Sequence, residues 1–208
     1  MSSAGISPTV REGSVIRTVR DIRGIACLGH AGVSYMLLDT KETIEAFGAR
    51  IADDFVKAAA LAGISIVRSE IEVEVLVPHR PPSSLPTGKS AVYVFIFGSR
   101  CLKVGKAGPK SAARFCTQHY GTNARSTLAK SLLKLQSNVG VTGLNLTNVK
   151  LWICKNTARI NFFIPSGDVF ALSLLEAFVQ CRLQPAFEGF ASQRLSKIPR
   201  AASGRLYP

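Results

Sequence analysis

A chain of 208 residues with 47% hydrophobic and 19% charged side chains can bury a sizeable core, which excludes wholesale disorder and suits one domain or two small ones. The net charge of +13 is unevenly spread: residues 80–208 carry 18 Lys and Arg against Asp168, Glu176 and Glu188, whereas residues 1–79 carry 8 against 10 acids. The basic part favours a polyanionic partner, and because no apolar run reaches the roughly 18 residues of a membrane span, a membrane partner is not expected.

The N-terminal stretch has Ser and Arg but no apolar core of a secretory signal, which makes the cytoplasm the expected location. Cys27, Cys101, Cys116, Cys154 and Cys181 form no CxxC pair, and His30, His79 and His119 are scattered. Neither a zinc site nor a disulfide framework is expected, and most of the cysteines read as reduced core thiols.

In chain order, GIACLGHAGVSYMLL (24–38) has the pattern of a hairpin with a Gly-containing turn. Asp39 or Thr40 can cap a helix that carries Ile44, Phe47, Ile51, Phe55 and Ala58 at helical spacing and stops at Gly63. A half-buried strand follows, with Ile71, Val73, Val75 and Val77 alternating against Glu70, Glu72 and Glu74; the glutamates read as its solvated face. Prolines and serines then crowd residues 77–90, where the charge balance also changes. That coincidence predicts a linker at about 78–88, dividing an accessory α/β domain (1–79) from a second domain (80–208).

Beyond it, AVYVFIF and RCLKVGKAG are two strand-like runs joined by Gly98-Ser99, a hairpin connection. Helices are expected at about 111–118 and 127–136, a strand at VKLWICK from Val149, and a helix from Asp168 to Arg182 ended by Pro185. The order β-β-α-α-β-α gives an α/β (α+β) fold with a small, mainly antiparallel sheet flanked by helices. GKS at 88–90 is not a phosphate loop, because Ser83 stands where that motif needs glycine. KVGKAGPK, by contrast, ends a strand, sets glycines beside lysines and leads to Ser111, a candidate helix cap. Lys106 and Lys110 in this turn are candidate phosphate contacts.

Ala91-Val92-Tyr93 and Lys103-Val104-Gly105 on the hairpin, followed by Gly105-Lys106, Arg114 on the first helix and Glu176 in LLEAFVQCRLQPAFEG, resemble the GIY-YIG endonuclease superfamily over about residues 88–190. The resemblance implies a nuclease domain in which Glu176 holds a divalent cation, Mg²⁺ or Mn²⁺. Arg114 would clamp phosphate oxygens, and Tyr93 would take a proton from the attacking water. Lys103 replaces the second tyrosine of the family's pattern, and Glu188 stands where an asparagine is often found.

The chemistry fits the residue types. Phosphodiester hydrolysis needs a deprotonated water and stabilised phosphoryl charge, and a hard cation suits a carboxylate. A guanidinium fork matches phosphate better than an ammonium does. Tyr93 would need its phenol made more acidic by Lys103, Lys106 and the cation. His119 and Tyr120 follow Arg114 by about a helical turn and are candidates for acid–base transfer or nucleic-acid contact, with His119 favoured because an ordinary imidazole exchanges protons near neutral pH. Arg125, Lys130 and Lys134 suit a surface that tracks the backbone of a nucleic acid. The expected function is metal-dependent cleavage of DNA, single-stranded and branched DNA included. The alternative is a non-catalytic nucleic-acid-binding module on the same fold.

Overall fold

The computed structural model describes residues 40–187. Helix α1 (Lys41–Leu61) begins at Thr40, whose Oγ1 accepts from the Thr43 N–H, while Thr43 returns a bond to the Thr40 N–H. This reciprocal cap satisfies donors the helix itself cannot. The helix stops at Ala62-Gly63, where Gly63 turns the chain at φ +73°. A short 3-10 turn (Arg68–Glu70) leads into β1 (Glu72–Leu76). After the Pro/Ser segment come β2 (Lys89–Phe97) and β3 (Arg100–Ala107), joined at Gly98, whose φ of +57° favours a residue without Cβ.

Then follow α2 (Ala112–Cys116), a 3-10 turn (Gln118–Tyr120), α3 (Leu128–Leu135), α4 (Val149–Asn156), β4 (Ala158–Pro165) and α5 (Val169–Leu183). Thr127 and Asp168 cap α3 and α5, accepting from the Lys130 and Ala171 N–H groups. Ser111 holds the cap position of α2, but its side chain makes no capping bond.

The strands form one antiparallel sheet in the order β1-β4-β2-β3. Alternation along each strand sends side chains to two separate cores. Val92, Val94, Val104, Ile160 and Phe162 meet Ile44, Ile51 and Phe55 of α1 and Leu175 and Val179 of α5 on one face. Ala91, Tyr93, Phe95 and Phe163 meet Phe115, Leu128, Leu132 and Ile153 of α2, α3 and α4 on the other. Gly48 lets α1 press onto β1: a Cβ there would lie 2.9 Å from Val73 Cγ1.

This topology corrects two expectations. The boundary at 78–88 does not separate two packing units, because β1 pairs along its length with β4 and α1 shares a core with α5. The Pro/Ser segment carries the chain from β1 to β2 within a single sheet. VKLWICK is helix α4, burying Val149 and Ile153 at i and i+4, and the strand is the next segment, ARINFFIP. The expected hairpin at 24–38, Cys27 and Glu188 lie outside the described residues. The other four cysteines are free thiols, of which only Cys116 is buried.

Candidate active site

The site is built on one row of the sheet. Glu74, Asn161, Tyr93 and Gly105 are successive cross-strand partners on β1, β4, β2 and β3. The Tyr93 ring lies over Gly105, where a Cβ would come within 2.7 Å of its hydroxyl oxygen. Only glycine leaves that room. In the neighbouring row, Phe95 pairs with Arg159 on β4 and Lys103 on β3, with the register slipping so that Leu102 has no partner. Lys103, two residues from Gly105 in unbroken register, shares the Tyr93 face by alternation, and the bulge beyond it turns Leu102 into the same core.

Tyr93 is wholly buried, and its hydroxyl lies 2.7 Å from His119 Nε2. The other ring nitrogen, Nδ1, accepts from the Leu128 N–H at 3.3 Å. A backbone N–H can only donate, so Nδ1 carries the lone pair, Nε2 carries the hydrogen, and His119 donates to Tyr93. The proton of the phenol is thereby left for another partner.

Both groups titrate far from the expectation of the sequence. Burial pushes the Tyr93 phenol up to about 12, outweighing the opposing Arg114 and Arg159 charges, and Glu176 pushes it further the same way. Burial, helped by Lys103, Arg159 and Arg114, holds His119 down at about 3. His119 is therefore neutral at physiological pH and serves as a fixed donor, not a proton exchanger. Tyr93 is a protonated phenol in the free protein, not an acidified one.

Arg114, on α2, is exposed yet close enough for its charge to act on the Tyr93 hydroxyl, as Glu176 on α5 also is. Lys103 is buried, with Nζ donating to Ser126 Oγ at 3.0 Å and to the Phe187 carbonyl at 3.2 Å. The segment after Pro185 reaches that position by pairing with β3, the Ala186 and Phe187 N–H groups donating to the Cys101 and Leu102 carbonyls. The Lys103 charge acts on His119. Glu176 is not isolated: its Oε2 lies 2.8 Å from Lys106 Nζ, which also donates to Ser173 Oγ at 3.5 Å.

Sequence reasoning missed Arg159. Its guanidinium is fully buried, donating to Asn161 Oδ1 at 2.8 Å, Tyr120 Oη at 3.0 Å and the Phe115 carbonyl at 2.9 Å. It also lies 4.9 Å from the Tyr93 ring centroid and 4.4 Å from that of Phe115, within cation–π range. All three acceptors are neutral; one of them, Asn161, in turn donates to the Glu74 carboxylate, at 2.7 Å from Oε2. Glu74 thus belongs to the site's framework and is not simply a solvated strand residue. The signal was present in the alternation of ARINFFIP, which puts Arg159 and Asn161 on the face of Phe163.

Tyr120 is buried beneath the His79 and Phe95 rings and bonded to Arg159, so it contacts no bound polymer directly. Burial pushes its phenol up. Lys110, Arg125, Lys130 and Lys134 are all exposed, and Lys130 Nζ folds back to the Ala124 carbonyl at 3.5 Å. No family model, curated protein or solved structure matched this chain. No helix among the described residues is long and apolar enough to cross a membrane.

Among the described residues, no three of His, Cys, Asp and Glu gather as a metal cluster. The residues nevertheless fit Mg²⁺ or Mn²⁺ held by one carboxylate, because such ions retain water and share substrate phosphate oxygens. The Lys106 ammonium sits on the Glu176 carboxylate, so a cation held there would have to displace it.

Proposed function

We propose that residues 88–187 form a GIY-YIG-type nuclease site that hydrolyses phosphodiester bonds in DNA. The observation that supports it most is that His119, Arg114 and Glu176, from three separate elements, act together on the hydroxyl of Tyr93, whose ring packs over Gly105 on a fourth. In this reading Glu176 would hold Mg²⁺ or Mn²⁺, which supplies positive charge to the phosphoryl oxygens when bound. Arg114 binds the same phosphate with its guanidinium fork and stabilises charge that grows there during attack.

His119 holds the Tyr93 oxygen by its Nε2 hydrogen, which aims the phenol's own hydrogen outward. Because burial holds the phenol at about 12, only a small fraction of Tyr93 is ionised at neutral pH, its proton having passed to solvent; in that fraction the phenolate accepts a proton from the attacking water. The water oxygen bonds to phosphorus, the bond from phosphorus to the departing ester oxygen breaks, and that oxygen takes a proton from solvent. Lys103 and Arg159 take no part in bond making. They add to the burial that keeps the imidazole unprotonated, so Nδ1 retains the lone pair that accepts from the Leu128 N–H and holds the ring in place.

One observation favours a second reading. Because Lys106 neutralises Glu176 within the chain, the same surface would also serve a non-catalytic nucleic-acid-binding module. Incubating single-stranded, duplex and branched DNA with the full chain, with Mg²⁺ or with chelator, separates the two: strand scission only with Mg²⁺ supports the nuclease, and binding without scission supports the module.

A further inference from the structure

Beside the Tyr93–His119 pair lies a cleft of about 150 Å³ lined by Arg114, His119, Arg125, Ser126 and Thr127 among others. No carboxylate lines it. Arg114 reaches it from α2 and Arg125 from the connection between the 3-10 turn and α3. Lys103 stands behind its wall, and by donating to Ser126 Oγ it turns that hydroxyl's own hydrogen away from the ammonium. The start of α3 contributes little, since the Leu128 and Lys130 N–H groups are spent on His119 and Thr127. The positive character of the cleft is that of its side chains.

Three cations around so small a space repel one another, and an anion between them would relieve that repulsion. The volume suits one tetrahedral oxyanion with a little water, each molecule of which occupies about 30 Å³. Two guanidinium forks lining one cleft suit phosphate oxygens in particular. We propose that Arg125 is the second half of a two-arginine clamp, closing with Arg114 on a single backbone phosphate of the nucleic acid. This rests on the reading of the surface as a nucleic-acid site, and it assigns Arg125 to the same phosphate as Arg114 instead of to the diffuse basic surface of Lys130 and Lys134.

The clamp is tested by binding alone. Affinity of the full chain for a mixed-sequence single-stranded oligonucleotide is measured in chelator over a range of NaCl, for the wild type, Arg114→Ala, Arg125→Ala, Lys134→Ala and the double variants. Each single change should lower the slope of log affinity against log salt by about 1. Because Arg114 and Arg125 share one phosphate, their double variant should also lose about 1, whereas Arg125→Ala with Lys134→Ala should lose about 2. Inorganic phosphate should raise the melting temperature of the wild type and leave that of Arg125→Ala unmoved. Additive slope losses for Arg114 and Arg125, an unchanged slope for Arg125→Ala, or equal phosphate stabilisation in both proteins would overturn the clamp. Absence of scission with these binding results intact would remove the nuclease reading and leave the clamp standing.

Discussion

Gly105 and Tyr93 face each other across the β2–β3 hairpin so closely that a Cβ on the glycine would stand 2.7 Å from the phenolic oxygen and 2.8 Å from two ring carbons. The glycine is an ordinary strand residue without positive φ, so its requirement is space alone. Gly105→Ala should push the ring off its position over β3, break the 2.7 Å contact with His119 and cost about 1–3 kcal/mol in stability. Urea denaturation and the imidazole chemical shifts of His119 measure both effects. A stable variant with unmoved shifts would show that the ring has room to spare.

Arg159 makes three hydrogen bonds to neutral acceptors, one within β4 and two that tie β4 to α2 and to the Gln118–Tyr120 turn. Replacing it by Met keeps the bulk but strands those acceptors, each at a cost of about 1–3 kcal/mol, partly offset by no longer burying a charge. Arg159→Met should therefore be destabilised overall, and the pKa of His79 and of His119 should rise, because the Arg159 charge helps to depress both. NMR titration of the two imidazoles reads this directly; unmoved values would mean that burial alone sets them.

His79 is held at about 4, chiefly by burial, and His119 at about 3. His79 Nδ1 donates to the Thr157 carbonyl, while its buried Nε2 has no partner. With folded values below the unfolded value of about 6.5, the unfolded chain binds more protons throughout the interval. The stability these groups contribute is complete above about pH 6.5 and is lost progressively as pH falls toward about 3. Urea midpoints should be level between pH 7 and 8 and decline steadily below pH 6, less steeply in His79→Leu. A midpoint constant from pH 8 to 4.5 would contradict the burial of these rings.

The Lys106–Glu176 pair sets a competition for the carboxylate. A partly exposed pair of this kind is worth about 1 kcal/mol, so Lys106→Met should tighten Mn²⁺ binding by about fivefold in the absence of DNA. Glu176→Gln should abolish it. Isothermal titration distinguishes the cases, and equal Mn²⁺ affinity in all three proteins would place any cation elsewhere.

Much of this arrangement was legible in the residues. Thr40 and Asp168 announced the helices they cap, Gly98 announced the hairpin, and Tyr93, Arg114 and Glu176 fell on the elements that bring them together. What failed depended on distant pairing. The Pro/Ser segment resembles a domain linker because local composition says nothing of β1 pairing with β4, far along the chain. VKLWICK is short enough to fit either period, and its burial at Val149 and Ile153 emerges only when α4 packs beside α3. The acidity of Tyr93 and His119 was misjudged for the same reason, since burial outweighs the neighbouring cations for the phenol and acts with them on the imidazole.

The central claim is that Glu176 serves a metal-dependent cleavage built around Tyr93. Single-turnover cleavage of DNA in Mg²⁺, measured for wild type and Glu176→Gln alongside DNA affinity in chelator, tests it most directly. The account predicts scission by the wild type, a loss of at least about a thousandfold in the variant because a neutral amide is a poor ligand for a hard cation, and unchanged affinity. Undiminished cleavage by Glu176→Gln, or wild-type cleavage that persists in chelator, would contradict it.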